Sequence, residues 1–250
     1  MIVLTETQEE QKRLINICSK SAFGCKIMAI IKAYGFDKSF CCFWVDTDKE
    51  LAFAKLDSLM IIAGTIENSL EVREFLKAVG VEEIMCAVRN SELLGINVSE
   101  HGEICKKKSS ADVVEIVQNR EINIRKIYEL LKKVDMRADD FESFYLDLSH
   151  RLRHGTAQVL TDFSEDGSLS ALLIISAILD DSAIISAIAV DENYRRMGKG
   201  RSLMLRAERV LSDKTIYIFK EEKKNNEFYS SLGYKHADSW VVGRLNSFKQ

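Results

Sequence analysis

A basic segment that contains two glycines, Arg195–Gly200, lies between a strand-like stretch and a helix-like stretch. Residues 183–190, ahead of it, carry no charge and are rich in β-branched side chains, which favours a strand. Residues 201–211, behind it, repeat apolar side chains at helical spacing. Glycine lets the backbone approach a ligand closely, and the first amides of a helix are unpaired and favour negative charge. The segment therefore predicts a binding site for a phosphorylated ligand.

Two other phosphate-binding motifs do not fit this segment. A Walker loop needs Gly-x-x-x-x-Gly-Lys-[Ser/Thr], and the sequence has no such run. A dinucleotide fingerprint needs Gly-x-Gly-x-x-Gly, and Gly198 and Gly200 supply its first two glycines, but position 203 is leucine. The spacing that remains is Arg-x-x-Gly-x-Gly, which Arg195, Gly198 and Gly200 satisfy.

The sequence downstream of this turn adds three further features in a fixed order. A second strand-like run covers 215–219, a polar helix start covers 221–227, and Phe-Tyr-Ser-Ser-Leu-Gly-Tyr occupies 228–234. The ordered set resembles the GNAT superfamily of acyl-CoA-dependent N-acyltransferases, over roughly residues 120–250. In that family an [Arg/Gln]-x-x-Gly-x-[Gly/Ala] turn holds the pyrophosphate of coenzyme A. A Phe-Tyr-x-x-x-Gly-[Phe/Tyr] segment ends the helix that flanks the thioester.

The resemblance implies a reaction and a co-substrate. It implies an N-acetyltransferase that moves the acetyl group of acetyl-CoA to a primary amine, with no metal. Main-chain groups at the end of the 183–190 strand would pair with the pantetheine and the acetyl oxygen, and the amides and cations of the turn would hold the diphosphate. The residues assigned in this way to the coenzyme are Ile188, Ala189, Val190, Arg195, Arg196, Met197, Gly198, Lys199, Gly200, Arg201, Ser202, Asn225 and Phe228.

Tyr229 is the candidate catalytic residue, as a general acid. By resemblance, the tyrosine of the Phe-Tyr motif lies near the thioester sulfur and donates a proton to the leaving thiolate. A phenol with a pKa near 10 is protonated at neutral pH and can donate. The alternative is a tyrosine that only packs beside Phe228. Many relatives carry an asparagine seven residues before this tyrosine, where the chain has Glu222, and Asn225 and Asn226 are closer.

The general base is left open by the sequence. Some relatives use a glutamate on the strand before the turn, but residues 182–190 contain no acid, and Asp180 and Asp181 lie in a turn. His150 and His154 are at helical spacing, and imidazole is a side-chain group that suits a general base. They could also be a polar helix end, or two ligands of a metal site that lacks an evident third ligand. Deprotonation of the amine through ordered water is equally compatible.

The sequence predicts an acetyltransferase domain at 111–250. Helices are expected at 111–134 and 139–153, followed by antiparallel strands, the turn, a helix, a strand, a helix and a strand. This order predicts the GNAT fold, an α/β (α+β) class with a mixed, mostly antiparallel sheet flanked by helices. The three strands before the turn are predicted at 156–163, 168–179 and 183–190.

A smaller α/β domain is predicted at 1–110, and its pattern is a fainter version of the same order. A helix is expected at 7–34 and a charged linker at 104–110. The sequence that follows Gly64 has no arginine and no second glycine. This half is therefore interpreted as a degenerate GNAT-like unit that does not hold coenzyme A, or as an unrelated α/β domain. The other elements are expected as strands at 38–45, 51–64 and 83–89 and a helix at 69–80.

Composition excludes several classes of protein. The net charge is −3, and neither half is a polycation, so nucleic acid is not an expected partner. The amino terminus lacks a signal-peptide pattern, and no apolar run is long enough to span a membrane, so a cytoplasmic protein without a membrane partner is expected. All six cysteines lie in the first 105 residues without Cys-x-x-Cys spacing, which favours reduced, buried thiols.

The expected partner is an amine acceptor, which could be a small molecule, a peptide or a protein. The sequence selects neither the acceptor nor the oligomeric state. The absence of an acid at 182–190 leaves a second hypothesis open, a catalytically inactive acyl-CoA-binding sensor or interaction module. A third, a scaffold, would require that the turn bind no coenzyme.

Overall fold

A computed structural model describes residues 1–112, 123–136 and 140–246. The chain divides into two compact units. The first unit contains residues 1–105, 219–229 and those from 235 onward, and the second unit contains residues 106–218 and 230–234. Each unit therefore draws on separated stretches of the chain.

The helices and strands follow one another in this order. The first ten are β1 (Ile2–Leu4), α1 (Gln8–Cys18), α2 (Ala22–Tyr34), β2 (Cys41–Asp46), β3 (Leu51–Leu56), β4 (Leu59–Gly64), α3 (Ser69–Ala78), β5 (Glu83–Ala87), α4 (Val88–Leu94) and β6 (Ile96–Lys108). The next nine are α5 (Ile124–Lys133), α6 (Phe141–Arg153), β7 (Gln158–Phe163), β8 (Leu169–Ile178), β9 (Ser182–Val190), α7 (Lys199–Val210), β10 (Thr215–Glu221), α8 (Asn226–Ser231) and β11 (Lys235–Leu245).

The first unit has a mostly antiparallel sheet with the strand order β1-β2-β3-β4-β5-β11-β6. Strands β1 to β4 pair antiparallel in sequence, β5 pairs antiparallel with β11, and β4 and β5 form a parallel pair. The parallel pair needs a crossover, which α3 provides. The apolar core includes Phe53, Ile62 and Ile84 from the strands and Leu76 from α3, all fully buried.

The second unit has a sheet with the order β10-β9-β8-β7, in which only β9 and β10 are parallel. Ile127 and Leu131 of α5 pack on Leu172 and Ala189, on one face of this sheet. Both units therefore show the mixed, mostly antiparallel sheets with flanking helices that the sequence predicts.

Helix α7 covers the other face of the second sheet. It packs against β7, β8 and β9, and the ammonium group of its Lys199 contacts Asp162 of β7. Thr161 of β7 pairs with Leu172, which faces α5. Because successive residues of a strand point to opposite faces, Asp162 points to the face away from α5. The helix that begins at the glycine turn is thus separated from α5 by the sheet.

Two predicted elements of the first unit are wrong in their extent. The helix expected at 7–34 is two helices, because the Ser21 side chain accepts a hydrogen bond from the Gly24 amide and begins α2 anew. The strand expected at 51–64 is a hairpin of β3 and β4, which turns at Asp57 with φ +52°. In both cases a polar turn interrupts an apolar sequence pattern, and the pattern resumes in the residues after the turn.

The predicted linker is also wrong, because β6 runs through to Lys108 and includes most of 104–110. The predicted strand at 83–89 ends at Ala87, where α4 begins. Of the helix expected at 111–134, α5 accounts for the last part, and residues 113–122 lie outside the described residues. Within the described ranges, no helix is both long and apolar enough to cross a membrane.

Candidate functional site

The turn between β9 and α7 has the backbone that an anion site needs. Gly198, at the N-cap of α7, has φ +76°, and Arg196 has φ +61°. The first hydrogen bond of the helix runs from the Ser202 amide to the Gly198 carbonyl, at 2.9 Å. The amides of the first helical turn, residues 199–201, therefore have no intrahelical acceptor. They form the positive end of the helix dipole.

Glycine at 198 is required by its backbone conformation and not by crowding. A left-handed φ costs any residue with a Cβ about 1 kcal/mol or more. A Cβ built at Gly198 would meet nothing within 4 Å, so there is open space above the turn. A ligand could approach the backbone there.

The cations of the turn differ in how far their charges are already compensated. Lys199 is mostly buried, and its ammonium lies 3.1 Å from the Asp162 carboxylate. The Arg195 guanidinium lies 3.5 Å from the carboxylate of Glu192, and Arg201 donates to the Ser231 hydroxyl at 3.5 Å. Both arginines are exposed at the surface, and exposed ion pairs are weak. Lys199 is thus the cation least able to turn towards a ligand.

Three other predicted residues of the turn point into solvent. Met197 is 66% exposed, and Arg196 and Ser202 are also exposed. An exposed methionine at the tip of a turn has no packing role in the free protein. The segment presents its backbone and its arginines outward.

Strand β9 separates from β10 at the residues whose main-chain groups are predicted to bind the pantetheine. The two strands pair from Ser182–Thr215 to Ile185–Ile218, and β9 then continues to Val190. The register of β9 against β8 shifts at the same place, so that Ser186 is an extra residue in the ladder. Such a bulge bends a strand and ends local pairing. Ile188, Ala189 and Val190 all lie in the part of β9 beyond this point.

Asp191 is a residue of this region that the sequence analysis missed. It directly follows β9, and its carboxylate lies 2.7 Å from the Lys133 ammonium and accepts a hydrogen bond from the Asn193 amide at 3.1 Å. The hydrogen bond from Lys133 and that from the Asn193 amide lower the pKa of Asp191. Asp191 therefore stays ionised and fixes the short 3-10 turn Glu192–Tyr194 that leads to the glycines. The signal available in the sequence was an aspartate two residues before Asn193, an N-cap pattern.

Tyr229 belongs to the first unit and lies on α8. Its ring packs edge-to-face on Phe228, with 5.1 Å between ring centroids, and the residue is 8% exposed. Burial raises the pKa of Tyr229 to about 12, and the neighbouring Cys105 thiol adds to the effect. The phenol is therefore protonated throughout the physiological pH range.

Asn225 and Asn226, which lie closer to Tyr229 than the asparagine of many relatives, are both engaged at the start of α8. Asn225 has φ +57°, and its carbonyl accepts a hydrogen bond from the Tyr229 amide at 3.1 Å. The side-chain oxygen of Asn226 accepts a hydrogen bond from the Lys220 ammonium, at 2.5 Å, and Lys220 also pairs with Glu103. Asn225 thus starts the helix with its backbone, and the Asn226 side-chain oxygen is already engaged.

The candidates for a base or a metal site occupy separate positions. The rings of His150 and His154 lie on α6 with 4.3 Å between their centroids. Asp180 and Asp181 are exposed in the turn before β9. Among the residues that the structure describes, no group of three or more His, Cys, Asp or Glu side chains could hold a metal ion.

The first unit has a counterpart of the β9–turn–α7 element, in β4, the connection 65–68 and α3. Here the Asn90 side-chain amide, fully buried, donates to the Gly64 carbonyl at 2.9 Å and accepts from the Ile66 amide at 3.1 Å. Asn68 caps α3 by accepting from the Glu71 amide. The connection in the first unit therefore has side-chain partners at the end of β4 and at the start of α3, which the turn before α7 lacks.

Comparison with known proteins agrees with this architecture. Residues 124–234 match the model of the acetyltransferase (GNAT) family. A comparison with curated protein sequences finds no match. A tandem GNAT protein from the clavulanic acid biosynthesis pathway, solved without AcCoA, is 12% identical with a TM-score of 0.60, over 100% of this chain and 99% of its own.

Two further solved structures give the same result. A GCN5-related N-acetyltransferase from Sphaerobacter thermophilus is 13% identical with a TM-score of 0.61, over 97% of this chain and 95% of its own. A protein of Drosophila is 14% identical with a TM-score of 0.62, over 98% of this chain and 99% of its own. The structural comparisons establish a tandem GNAT fold, and residues 124–234 are the part of the chain that matches the GNAT family model. Family and fold together support acyltransferase activity, as the sequence predicts.

Proposed function

We propose that this chain is an N-acetyltransferase that moves the acetyl group of acetyl-CoA to a primary amine. The observation that carries the proposal is the β9–turn–α7 element, where the end of β9, which pairs with β8 but no longer with β10, leads directly to a helix start with free amides. These features lie in the same order along the chain as the parts of coenzyme A, since the pantetheine would follow β9 and the diphosphate would sit at the turn.

The diphosphate is bound by the amides of residues 199–201 together with Arg195 and Arg201. Arg195 contacts the Glu192 carboxylate at 3.5 Å and donates to the Val190 carbonyl at 3.4 Å, and Arg201 donates to the Ser231 hydroxyl at 3.5 Å. All three contacts are long and exposed, so little is lost when the arginines turn to a phosphate. A guanidinium donates two parallel hydrogen bonds to phosphate oxygens, which is stronger than a neutral contact. Lys199 keeps its pair with Asp162 and contributes its backbone amide.

The end of β9 supplies the main-chain groups that hold the thioester arm. Backbone amides at Ile188 and Val190 are fixed by the pairing of β9 with β8, so they are oriented before the reaction begins. Fixed donors stabilise a developing oxyanion without the cost of reorganising solvent.

Tyr229 acts as the proton donor to the leaving thiolate. A thiol has a pKa near 8.5, so complete transfer from a phenol of pKa about 12 is uphill. The hydrogen bond from the phenol nevertheless stabilises charge that develops on sulfur only in the transition state, which is the condition for raising the rate. Residues 182–190 contain no acid, so the acceptor amine loses its proton to ordered water or to a histidine of the α6 end, His150 or His154.

Incubation of the purified chain with acetyl-CoA and a panel of primary amines tests this proposal. The panel contains small diamines, peptides with free amino termini and lysine peptides, and mass spectrometry detects acetylated product. Transfer to at least one class, abolished by Gly198→Glu, is the expected result. A folded chain that binds acetyl-CoA and acetylates no amine would instead favour the sensor hypothesis.

We place this activity in the cytoplasm. None of the six cysteines forms a disulfide, five of them are buried, and burial raises the pKa values of Cys18 and Cys86. Such thiols are inert structural groups and fit a reducing compartment.

A further inference from the structure

The second unit contains a cleft that lies away from the glycine turn and from the end of β9. It has a volume of about 750 Å³ and lies between the first turns of α5 and α6 and the edge strand β7. Its walls carry three aromatic side chains, Phe141, Tyr145 and Phe163. Pockets of a few hundred to 1,000 Å³ with aromatic walls are typical of small-molecule sites.

The aromatic walls of the cleft are held in place by neighbouring rings. Phe141 packs on Tyr128 with 5.3 Å between centroids and on Tyr145 with 5.9 Å. Tyr145 is 46% exposed and Phe141 is half-buried, although both are large side chains that contact each other. The apolar surface is therefore ordered and at the same time open to a ligand.

Two cations from the first turn of α5 line the same cleft. The Arg125 guanidinium lies over the Phe141 ring, 4.1 Å from its centroid, and Lys126 is the next residue. A guanidinium stacked on a ring keeps its N–H groups free at the edge for a planar anion. In the part of the chain that the structure describes, neither cation has a carboxylate within salt-bridge distance, and none of the cleft's described lining residues is acidic.

The cleft is distinct from the acetyl-transfer region on β9. Thr161, which lines the cleft, pairs with Leu172 of β8, and Leu172 pairs with Ala189 of β9. Adjacent strands are about 4.8 Å apart, so the cleft wall lies roughly 10 Å from β9 across the sheet. Buried residues of α5 cover Leu172 and Ala189 on this face. A ligand in the cleft and a thioester along β9 would occupy separate places.

We propose that this cleft binds a small carboxylate with an aromatic or branched apolar body. The carboxylate pairs with Arg125 and Lys126, and the body packs on Phe141, Tyr145 and Phe163. The first turn of α5 adds the positive end of its helix dipole to the two side-chain charges. This site is independent of the proposed acetyl transfer, and it holds whether or not the chain turns over an amine.

Calorimetric titration with three matched probes tests the ligand class. The probes are 4-phenylbutyrate, its neutral amide and 4-phenylbutylamine, all without coenzyme present. Binding of the carboxylate at least tenfold tighter than the amide, and no binding of the amine, is the expected result. Equal affinities for acid and amide, preference for the amine, or no binding of any probe by the folded chain would each overturn the proposal.

Matched variants locate the binding. The double variant Arg125→Gln with Lys126→Gln should lower the affinity for 4-phenylbutyrate at least tenfold. Lys12→Gln with Lys235→Gln, two exposed lysines of the first unit, removes the same charge and should leave the affinity unchanged. Gly198→Glu should also leave it unchanged, because the glycine turn is a different anion site. Near-ultraviolet circular dichroism checks the fold, and equal weakening in both double variants would rule out the cleft.

Discussion

Tyr229 and Asp191 show opposite effects of their surroundings on ionisation. Burial disfavours the charged phenolate and raises the pKa of Tyr229 to about 12, whereas Lys133 and the Asn193 amide stabilise the charged carboxylate of Asp191. The phenol of Tyr229 therefore stays protonated and can donate a hydrogen bond, and the carboxylate of Asp191 stays ionised and accepts hydrogen bonds. At the scale of the residue, these two groups carry the proposed proton transfer and the anchoring of the glycine turn.

Tyr229→Phe should lower kcat by about 10²-fold or more, since it removes the proposed proton donor, and should change the affinity for acetyl-CoA less than threefold. Steady-state kinetics and calorimetry measure the two quantities. Tyr34→Phe, in α2, is the matched control and should leave both unchanged. A Tyr229→Phe variant with full kcat would leave Tyr229 a packing residue.

The pKa of Tyr229 also predicts how stability depends on pH. A folded-state pKa of about 12, raised above the unfolded value near 10, gives stability that is complete below pH 10 and is lost as the pH rises towards 12. Urea unfolding of wild type and Tyr229→Phe at pH 8, 10 and 11 isolates this group. The stability of the wild type should fall more steeply over this range. Parallel curves for the two proteins would contradict the raised pKa.

At the scale of the element, the two units have the same strand–turn–helix order but differ in how the start of the helix is capped. In the second unit, Gly198 starts α7 without a side-chain cap, and the first amides are open. In the first unit, Asn68 caps α3 and the buried Asn90 joins the end of β4 to α4. One element is left able to accept a ligand, and the other is completed by its own side chains.

Asn90→Ala should destabilise the protein by about 1–3 kcal/mol, because the Gly64 carbonyl and the Ile66 amide would lose buried partners. Chemical denaturation measures the loss. Asn68→Ala removes an exposed cap and should cost about 1 kcal/mol. An Asn90→Ala cost no greater than that of Asn68→Ala would show that Asn90 does not hold the connection closed.

A partly buried ion pair of the second unit gives a further prediction at this scale. Lys107 of β6 lies 2.7 Å from the Glu208 carboxylate of α7 and also donates to the Leu232 carbonyl, and Glu208 is 5% exposed. Glu208→Gln or Lys107→Met alone should lower the free energy of unfolding by about 1–3 kcal/mol, whereas Lys107→Met with Glu208→Leu should cost much less. Unfolding titrations of the three variants form the test. Additive losses in the double variant would contradict a coupled pair.

The sequence predicted those elements whose pattern is local and missed those that depend on distant partners. The β9–turn–α7 element was visible because an apolar strand, a glycine turn and an amphipathic helix are contiguous. Strand β6 was not, because most of its residues are polar and its pairing comes from other parts of the chain. The pairs Asp162–Lys199 and Asn90–Gly64 join residues 37 and 26 positions apart, which no local pattern reports.

At the scale of the whole molecule, the chain has a tandem GNAT fold, and among its described residues the open glycine turn lies before α7 of the second unit. The family match covers residues 124–234, where that turn lies. The first unit keeps the order of strands and helices, but the side chains of Asn68 and Asn90 hydrogen-bond to its connection between β4 and α3. The central claim is therefore that one chain binds one acetyl-CoA, at the second unit.

The most direct measurement is a calorimetric titration of wild type and Gly198→Glu with acetyl-CoA. Gly198→Glu places a side chain with negative charge at a left-handed position beside the free amides. One site per chain in wild type, and no binding by a folded Gly198→Glu, is the predicted result. Two sites per chain, undiminished binding by the variant, or no binding by the wild type would contradict the claim.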